Sequence, residues 1–509
     1  MKLRLWICLL FSCFLLQLNA ATINVPADHA TIQLAVNAST PGDEIVVANG
    51  TYTESVNLDL MNGGTPGNII IRAANALGAT VDGALGPAFY ATSIFVGDIT
   101  LQDFNLDRNT AVGATVGVID LLDVTGDISI IGNDFDTDFG GSAIYLDYTL
   151  VRTASIRILD NTTSTTIAGD NGDFLFVQTT AATVLDIVMD GNTVSGLEDH
   201  FCEFDLEGDN SVTRIRATDN TYSAPTATSS FVNAIVGAGS TNAQADISIS
   251  GNMVTNPDGD AIFIETSGTS ATLGVLIASN TFSGTLGAGD HAIQLGAQSA
   301  TSGAVVRAIV ENNTITNPAA NGIYVNPETD PGNAMSVWDV VVSGNNISGT
   351  VGGDAGIYFD LTDPRSNYII NIDMTGNTSV AGITNAHRID CGAATPTVNF
   401  EGTAADCATQ ISNTNTGTTV FCSCGTIAAN AVLDNNIPAD VGNFIWEDVN
   451  TDGDQDGGEP GIPGVAVNIT GTQAVGGAVN RTTVTDSDGN YSFGAILPGT
   501  YTITVTLPP

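Results

Sequence analysis

Lysine is almost missing from this chain of 509 residues. Lys2 is the single lysine, and lysine and arginine together number 12 against 54 aspartates and glutamates, which gives a formal net charge of −42 at pH 7. A charge of this sign and size excludes nucleic acid and anionic membranes as partners, because both repel an acidic protein. Without lysine, the mature chain also has no lysine nucleophile, Schiff base or lysine–asparagine crosslink.

Long apolar runs are missing everywhere except at the N-terminus. Residues 5–16 form an apolar run behind Lys2 and Arg4. This pattern predicts a secretory signal peptide over residues 1–20, and the run is too short for a transmembrane anchor. A lipoprotein cysteine at Cys13 is the remaining alternative. The sequence therefore predicts a secreted or extracellular, cell-surface protein with no membrane-spanning segment.

What the sequence has in abundance is one recurring asparagine. It is preceded by Gly, Asp, Ser or Asn, and an apolar residue stands five positions before it. Successive copies lie 28 to 33 residues apart, at Asn133, Asn161, Asn192, Asn220, Asn252, Asn280, Asn313, Asn345 and Asn377. A repeat of this length with apolar residues at period two predicts a β-solenoid.

The local chemistry of each repeat agrees with this prediction. Ile247 and Ile249 alternate with polar residues and so face one side of a short strand. Gly251 permits the positive φ of a sharp corner. Asn252 then points inward, where asparagines stacked about 4.8 Å apart can bond one another in a ladder. A second strand such as 261–264 follows, so stacked repeats bury one apolar column.

The N-terminal part adds a resemblance to a known family. The order "TIQLAV…GDEIVV…GTYTESV", together with the repeat, resembles the start of right-handed parallel β-helices of the pectate-lyase-like superfamily. The resemblance implies the fold and the handedness. Residues 31–36 are expected to form a short amphipathic cap over the open end of the solenoid.

The motifs of enzymes with this fold are largely missing. Neither Asp-Asp nor Gly-His-Gly occurs, and the arginine or lysine base of the lyases is disfavoured in a chain so poor in both. Asp147 and Asp173 loosely resemble the two aspartate motifs of pectin methylesterases. Gly-Asp also recurs before the second strand at 259–260, 289–290 and 353–354, so Asp173 is interpreted as a corner residue that satisfies its own backbone.

One acidic segment remains a weak catalytic candidate. In a strand, Cys202, Phe204 and Leu206 would face inward, and Glu203, Asp205 and Glu207 would face outward about 7 Å apart. Such a carboxylate row, with His200 nearby, can bind a cation or raise one pKa for general acid catalysis. The alternative is a solvated face of a very acidic protein. Tyr145, Tyr324 and Tyr358 are expected at exposed positions, where aromatic rings can bind sugars.

Four of the five cysteines outside the signal peptide are close in sequence, at 391, 407, 422 and 424. In an exported protein they predict two disulfides that close the last rungs. Three pairings are possible, and 422 with 424 is the least favourable because that loop is so tight. A zinc site is the alternative. Cys202 is predicted to be a small buried hydrophobe.

The C-terminal part carries the most specific motif. "DVNTDGDQDGGE" fits a twelve-residue calcium loop at every diagnostic position. Its flanks are strand-like rather than helical, so the loop is set in a β domain. The predicted calcium ligands are Asp448, Asn450, Asp452, Asp454, Asp456 and Glu459.

Residues 441–506 strongly resemble the B domains of serine-aspartate-repeat surface proteins, the SdrD B-like family. The resemblance rests on "VGNFIWEDVNTDGDQDGGEPGIPGVAVNITG…TTVTDSDGNYSFGAILPGTYTITV". It implies a calcium-stabilised β-sandwich that serves as a stalk segment, with Asp454 binding through its carbonyl. Asp486 and Asp488 are candidates for a second acidic site.

The sequence thus predicts an all-β chain with four parts. These are a signal peptide at 1–20, a parallel β-helix at 21–425, a linker at 426–437, and an immunoglobulin-like or prealbumin-like sandwich at 438–509. The predicted function is a secreted bacterial surface protein of adhesion type, either a monomer or a piece of a longer protein. Its expected partner is a glycan or a host or cell-surface ligand. The alternative is a polysaccharide-active lyase, hydrolase or esterase with its cleft on the β-helix.

Overall fold

The computed structural model describes most of the chain in segments. The described residues are 20–83, 86–92, 95–107, 117–135, 141–163, 172–197, 199–223, 229–284, 290–298, 301–328, 333–349, 355–362, 368–379, 385–391, 397–400, 406–417, 420–424, 428–429, 439–449, 459–462, 465–473, 478–485, 489–496 and 499–506. The predicted signal peptide lies outside these residues except for Ala20.

Three long parallel sheets form the solenoid within the described residues. Sheet 1 has strands Thr22–Val25, Glu44–Val47, Ile69–Ala73, Ile99–Gln102, Gly126–Ile131, Thr153–Leu159, Val184–Asp190, Val212–Thr218, Gln244–Ser250, Thr272–Ala278, Val305–Glu311, Ser336–Ser343, Tyr368–Thr375, Thr397–Phe400 and Ala428–Ala429. Sheet 2 has strands Gly50–Thr53, Ala79–Asp82, Phe104–Asp107, Asp134–Phe135, Thr162–Thr163, Thr193–Ser195, Thr221–Ser223, Met253–Thr255, Thr281–Ser283, Thr314–Thr316, Asn346–Ser348 and Thr378–Ser379. Sheet 3 has strands Val56–Asn57, Phe89–Ala91, Ile119–Leu122, Ile144–Tyr148, Leu175–Thr179, Cys202–Leu206, Val232–Val236, Ile262–Thr266, Ile293–Ala297, Ile323–Asn326, Ala355–Asp360, Asn385–Asp390 and Val420–Cys422.

Each rung therefore runs through sheets 1, 2 and 3 in turn, and the apolar alternation decides what is inside. Ile247 and Ile249 are fully buried, and they pair in register with the same positions of neighbouring rungs. The buried side chains from all three sheets form one continuous cluster. The predicted parallel β-helix is confirmed.

The asparagine ladder is present in full. Asn252 Nδ2 donates to Asn280 Oδ1 at 2.9 Å and to Ala217 O at 2.9 Å, and its own Oδ1 accepts the N–H of Asn220 at 2.9 Å. The same bonds recur from Asn133 to Asn377, where Asn415 continues the series. The ladder satisfies polar groups that the corner would otherwise leave buried and unpaired.

The corner before each asparagine has the left-handed backbone that the sequence requires. Gly251 has φ 70°, and the non-glycine residues Asp219 and Asn312 have φ 52° and 56°. Aspartate and asparagine tolerate this region better than other side chains do.

Both ends of the solenoid are covered. Helix α1, Ile32–Ala38, begins at the N-cap Thr31 and buries Ile32, Ala35 and Val36, as predicted. Helix α2, Cys407–Thr414, lies at the other end. Disulfides join Cys391 to Cys424 and Cys407 to Cys422, which confirms two bridges and selects one of the three pairings. Cys202 is buried and unbridged.

The C-terminal domain is antiparallel. Strands Ala439–Phe444 and Asn490–Ile496 form one sheet, and strand Ala466–Gln473 pairs with Ala478–Val484 and Gly499–Thr506 in a second. Val467, Ile469 and Phe493 lie in its small core. Sheet 1 of the solenoid ends with Ala428–Ala429, inside the stretch predicted as a linker.

Candidate functional site

The outward face of sheet 3 carries a row of aromatic and polar side chains, one per rung. The positions are aligned by strand register, and six of the ten are aromatic. We call this set the outer row of sheet 3: Tyr145, Phe176, Glu203, Asn233, Phe263, Gln294, Tyr324, Tyr358, Arg388 and Phe421.

Four rings of the outer row contact one another in two pairs. Tyr145 and Phe176 stack with centroids 5.2 Å apart and an interplanar angle of 10°. Toward the other end, Tyr324 and Tyr358 lie 5.5 Å apart, and the Arg388 guanidinium sits 4.8 Å from the Tyr358 ring. Parallel strands repeat about every 4.8 Å, so identical outward positions necessarily stack.

Tyr358 departs from the sequence prediction. It was expected to be exposed, but only 7% of its surface is accessible, although it belongs to the outer row. Tyr324 on one side and Arg388 on the other cover its ring. Tyr145 and Tyr324 are half-buried, so their rings remain partly accessible.

Glu203 and Asp205 lie where the alternation predicts. Strand Cys202–Leu206 buries Cys202, Phe204 and Leu206 and turns the two carboxylates outward. Glu203 is nevertheless half-buried. Burial raises the pKa of Glu203 to about 7, and the nearby Asp205 and Asp199 carboxylates add to the effect. Burial also raises the pKa of Asp205. A carboxyl group with a pKa near 7 can carry a proton at neutral pH.

The third candidate, His200, lies with two aspartates at the corner that precedes sheet 3. Potential ligand atoms of Asp173, Asp199 and His200 all lie within 4.8 Å of one another. Asp173 Oδ1 accepts the backbone N–H of His200 at 3.1 Å, so this aspartate bonds the next rung. Burial, with Asp199 and Glu203 nearby, raises the pKa of Asp173 well above its usual range.

Sequence reasoning missed Asp173 and Asp199 as members of this group. The signal was present, because Asp173 and His200 both stand two residues before a sheet 3 strand and therefore align. Phe174 and Phe201 lie directly behind them, 5.3 Å apart, and make the corner apolar.

The hydrogen bonds of His200 limit what this group can hold. Its Nδ1 accepts the N–H of Ser230 at 3.0 Å, so the proton is on Nε2, which lies 3.1 Å from Asp199 Oδ1. An imidazole in this state has no free lone pair for a metal ion. His200 itself can become a metal ligand through Nε2 only if Nε2 loses its proton to Nδ1 and Ser230 loses its acceptor.

A second copy of this arrangement lies three rungs further on. Asp260 accepts the N–H of His291, and His291 Nδ1 accepts the N–H of Asn321 at 3.1 Å. Burial raises the pKa of Asp260 to about 7 and lowers that of His291 to about 4. The His291 ring stacks on Tyr324 at 4.3 Å, which joins this corner to the outer row of sheet 3.

Only the two ends of the predicted calcium loop are described. Val449 N–H donates to Glu459 Oε1 at 3.0 Å, and Glu447 N–H donates to Pro460 O at 3.0 Å. These bonds bring the first and last predicted ligands, Asp448 and Glu459, to one place. Asn450, Asp452, Asp454 and Asp456 lie outside the described residues, as do Asp486 and Asp488, so the calcium site stays a prediction.

Comparison with known sequences concerns the C-terminal domain. The family model of the SdrD B-like domain matches residues 439–509. Over 68 residues the chain is 44% identical to serine-aspartate repeat-containing protein D of Staphylococcus aureus strain Newman, covering 13% of this chain and 5% of that protein. It is 41% identical over 68 residues to the bone sialoprotein-binding protein of S. aureus strain MRSA252, covering 13% and 6%. The chain thus spans a small fraction of these relatives.

Comparison with solved structures concerns the solenoid. The catalytic domain of a GH87 alpha-1,3-glucanase in complex with nigerose has a TM-score of 0.39 and 12% identity, covering 71% of this chain and 69% of that one. A PL6 alginate lyase in complex with a trisaccharide has a TM-score of 0.33 and 11% identity, covering 78% and 88%.

Among the described residues, no helix is long and apolar enough to cross a membrane. The chain combines a parallel β-solenoid with a C-terminal domain, and residues 439–509 match the family model of the SdrD B-like domain.

Proposed function

We propose that this chain is a secreted, cell-surface protein of adhesion type whose solenoid binds a glycan along the outer row of sheet 3. The observation that carries the proposal is the alignment of six rings on one face at the spacing of the rungs. Aromatic faces pack against the apolar C–H faces of sugars, and neighbouring carboxylates and amides bond their hydroxyls.

The charge of the chain narrows the ligand class. At −42 the protein repels a polyanionic glycan, so the proposed ligand is a neutral oligosaccharide. Tyr145 and Phe176 provide a stacked platform, and Glu203 follows on the next rung as a hydrogen-bonding group.

The C-terminal domain supports the surface role. Its relatives include a protein named for binding bone sialoprotein and several serine-aspartate repeat proteins. In this proposal the domain is a calcium-stabilised stalk, with ligands from Asp448 to Glu459, and the solenoid is the presenting unit.

The test is binding of the full chain to an array of neutral oligosaccharides. Tyr145→Ala with Phe176→Ala should weaken binding at least tenfold, which corresponds to about 1.4 kcal/mol. The matched control is Thr281→Ala with Thr314→Ala, two exposed positions on sheet 2. Binding that the ring substitutions leave unchanged would exclude the outer row as the site.

A second function, a polysaccharide-active enzyme, is favoured by one observation. Glu203 has a pKa of about 7 in the middle of the outer row, beside Asp205 and close to Asp173. A carboxyl group that carries a proton at neutral pH is the group that general acid catalysis on a glycosidic bond needs.

Release of reducing ends or unsaturated sugars from neutral and uronate polysaccharides tests this alternative. If the chain is an enzyme, Glu203→Gln should lower turnover at least a hundredfold while the folded state persists. Glu207→Gln, at the exposed end of the same segment, is the control and should keep the activity. Absence of turnover on the whole panel favours the binding protein.

A further inference from the structure

A cavity lies between the outer face of sheet 1 and the C-terminal domain, away from the outer row of sheet 3. Its volume is about 230 Å³. Arg157, Val188 and Arg216 stand in one outward row of its floor, and Asp190 stands in the adjacent row. Thr483 and Tyr491 of the C-terminal domain line the opposite side.

Arginine is concentrated on the face of sheet 1 that carries the cavity. The whole chain has 12 basic residues, yet Arg157 and Arg216 line the cavity and Arg214 lies beside it on the same face. Arg214 lies 3.6 Å from Asp186, and Arg157 Nη2 donates to Thr483 Oγ1 at 3.0 Å. In a chain this acidic, such a cluster needs a reason beyond solubility.

Arg216 supplies a cationic group to the lining. A guanidinium pairs best with a carboxylate, because the two groups match in a bidentate geometry. The buried Nε of Arg216 has no hydrogen-bond partner among the described residues, so no protein acceptor holds that edge of the guanidinium.

The rest of the lining sets the ligand class. Asp190, on the row next to the arginines, and Asp219 offer carboxylate oxygens, so a ligand here meets both signs of charge. Val188 and Tyr491 add apolar surface. The cavity volume of about 230 Å³ is far above the roughly 10–15 Å³ that one water molecule needs, so the cavity has room for a small organic molecule. A ligand with a carboxylate, an ammonium group and a short apolar chain matches the arginines, the aspartates and the apolar surface of the lining.

We propose that this interdomain cavity binds a small zwitterion, an apolar α-amino acid, with its carboxylate on Arg216 and its ammonium group on Asp190. The inference does not depend on the glycan proposal, because the cavity is built on sheet 1 and the outer row on sheet 3.

Calorimetric titration of the full chain tests the proposal with three probes. L-leucine should bind saturably. N-acetyl-L-leucine, which lacks the ammonium group, and L-leucinamide, which lacks the carboxylate, should each bind at least tenfold more weakly. Equal binding of either analogue would overturn the zwitterion, and no saturable binding of L-leucine would overturn the site.

Variants locate the site. Arg216→Gln should weaken L-leucine binding at least tenfold, and Asp190→Asn should remove the preference for L-leucine over N-acetyl-L-leucine. Arg307→Gln is the matched control, since Arg307 lies on the same face three strands away and outside the cavity. Thermal melts check that each variant folds. If Arg216→Gln does not fold, the Asp190→Asn variant still tests the assignment. Unchanged binding in a folded Arg216→Gln or Asp190→Asn variant would refute the assignment.

Discussion

At the residue scale, the asparagine ladder and the Glu203 carboxyl have the clearest consequences for stability. The ladder places one buried amide in each corner, and every amide bonds both neighbours. Asn252 Oδ1 accepts from Asn220, and Asn252 Nδ2 donates to Asn280 and to Ala217. A single substitution therefore orphans partners on two other rungs.

Asn252→Ala should lower the free energy of unfolding by about 2–4 kcal/mol, because it leaves buried donors and acceptors without partners. Chemical denaturation monitored by circular dichroism measures this change. Thr281→Ala, at an exposed position on sheet 2, is the control and should stay within about 0.5 kcal/mol of the parent. Equal effects of the two substitutions would show that the ladder is not stabilising.

Glu203 predicts a pH dependence of stability. Its pKa is about 7 in the folded protein and 4.5 for an unperturbed glutamate, so the folded state holds the proton more tightly. The unfolded state then binds fewer protons between these values, and the Glu203 contribution to stability is present below pH 4.5 and falls as pH rises toward 7. Glu203→Gln should flatten the decline in melting temperature between pH 5 and pH 8.

The matched control is Glu207→Gln, which should show the same slope of melting temperature against pH as the parent. A parent whose melting temperature rises across this pH range, with the same slope in the Glu203→Gln variant, would contradict the raised pKa. The pKa of Asp260 is also raised, so Glu203→Gln should reduce this slope rather than abolish it.

At the element scale, the predicted calcium loop is the clearest case for experiment. The backbone bond from Glu447 N–H to Pro460 O and the bond from Val449 N–H to the Glu459 carboxylate hold the two ends of the loop together. Carboxylate and amide oxygens gathered at one place are the ligands that calcium prefers, so calcium binding should stabilise the folded domain.

Calcium at 100 times its Kd should stabilise the domain by about 2.7 kcal/mol and raise its melting temperature. Asp452→Ala and Glu459→Ala should abolish the rise, and Glu447→Ala, just outside the loop, should preserve it. Differential scanning calorimetry of the full chain, with calcium or chelator, gives the measurement. An unchanged melt would mean that the twelve residues are an acidic turn.

The individual strands, corners and helix of the solenoid were predictable from the sequence. The strands, the corners and helix α1 follow from patterns within about ten residues, such as the alternation at Ile247 and Ile249 or the spacing of Ile32, Ala35 and Val36. These patterns are local, so they can be interpreted without knowing which other rungs pack against them. The disulfide pairing is not local: Cys391 meets Cys424 because strands Asn385–Asp390 and Val420–Cys422 pair, and Cys407 meets Cys422 because α2 lies against the last rungs.

At the scale of the whole molecule, the net charge of −42 has the largest effect on stability that the sequence predicts. Such a charge destabilises the compact state by self-repulsion, and salt screens it over a Debye length of about 10 Å at 0.1 M. The arginine cluster at 157, 214 and 216 lowers this repulsion locally, where the C-terminal domain approaches sheet 1.

Raising NaCl from 10 mM to 500 mM should increase the melting temperature by about 2–5 °C, measured with chelator present so that calcium does not contribute. Sucrose, which changes no electrostatic interaction, gives the comparison for a general solute effect. A melting temperature that falls with salt would show that attractive ion pairs outweigh the repulsion.

The sequence by itself determined the rung: its apolar alternation, its inward asparagine and its left-handed corner, because each is set by neighbours in the chain. Only the tertiary structure decided which distant parts of the chain meet. Arg157 donates to Thr483, 326 residues away in the sequence, because the C-terminal domain packs on sheet 1. Burial then raises the pKa of Glu203, and no local pattern contains that information.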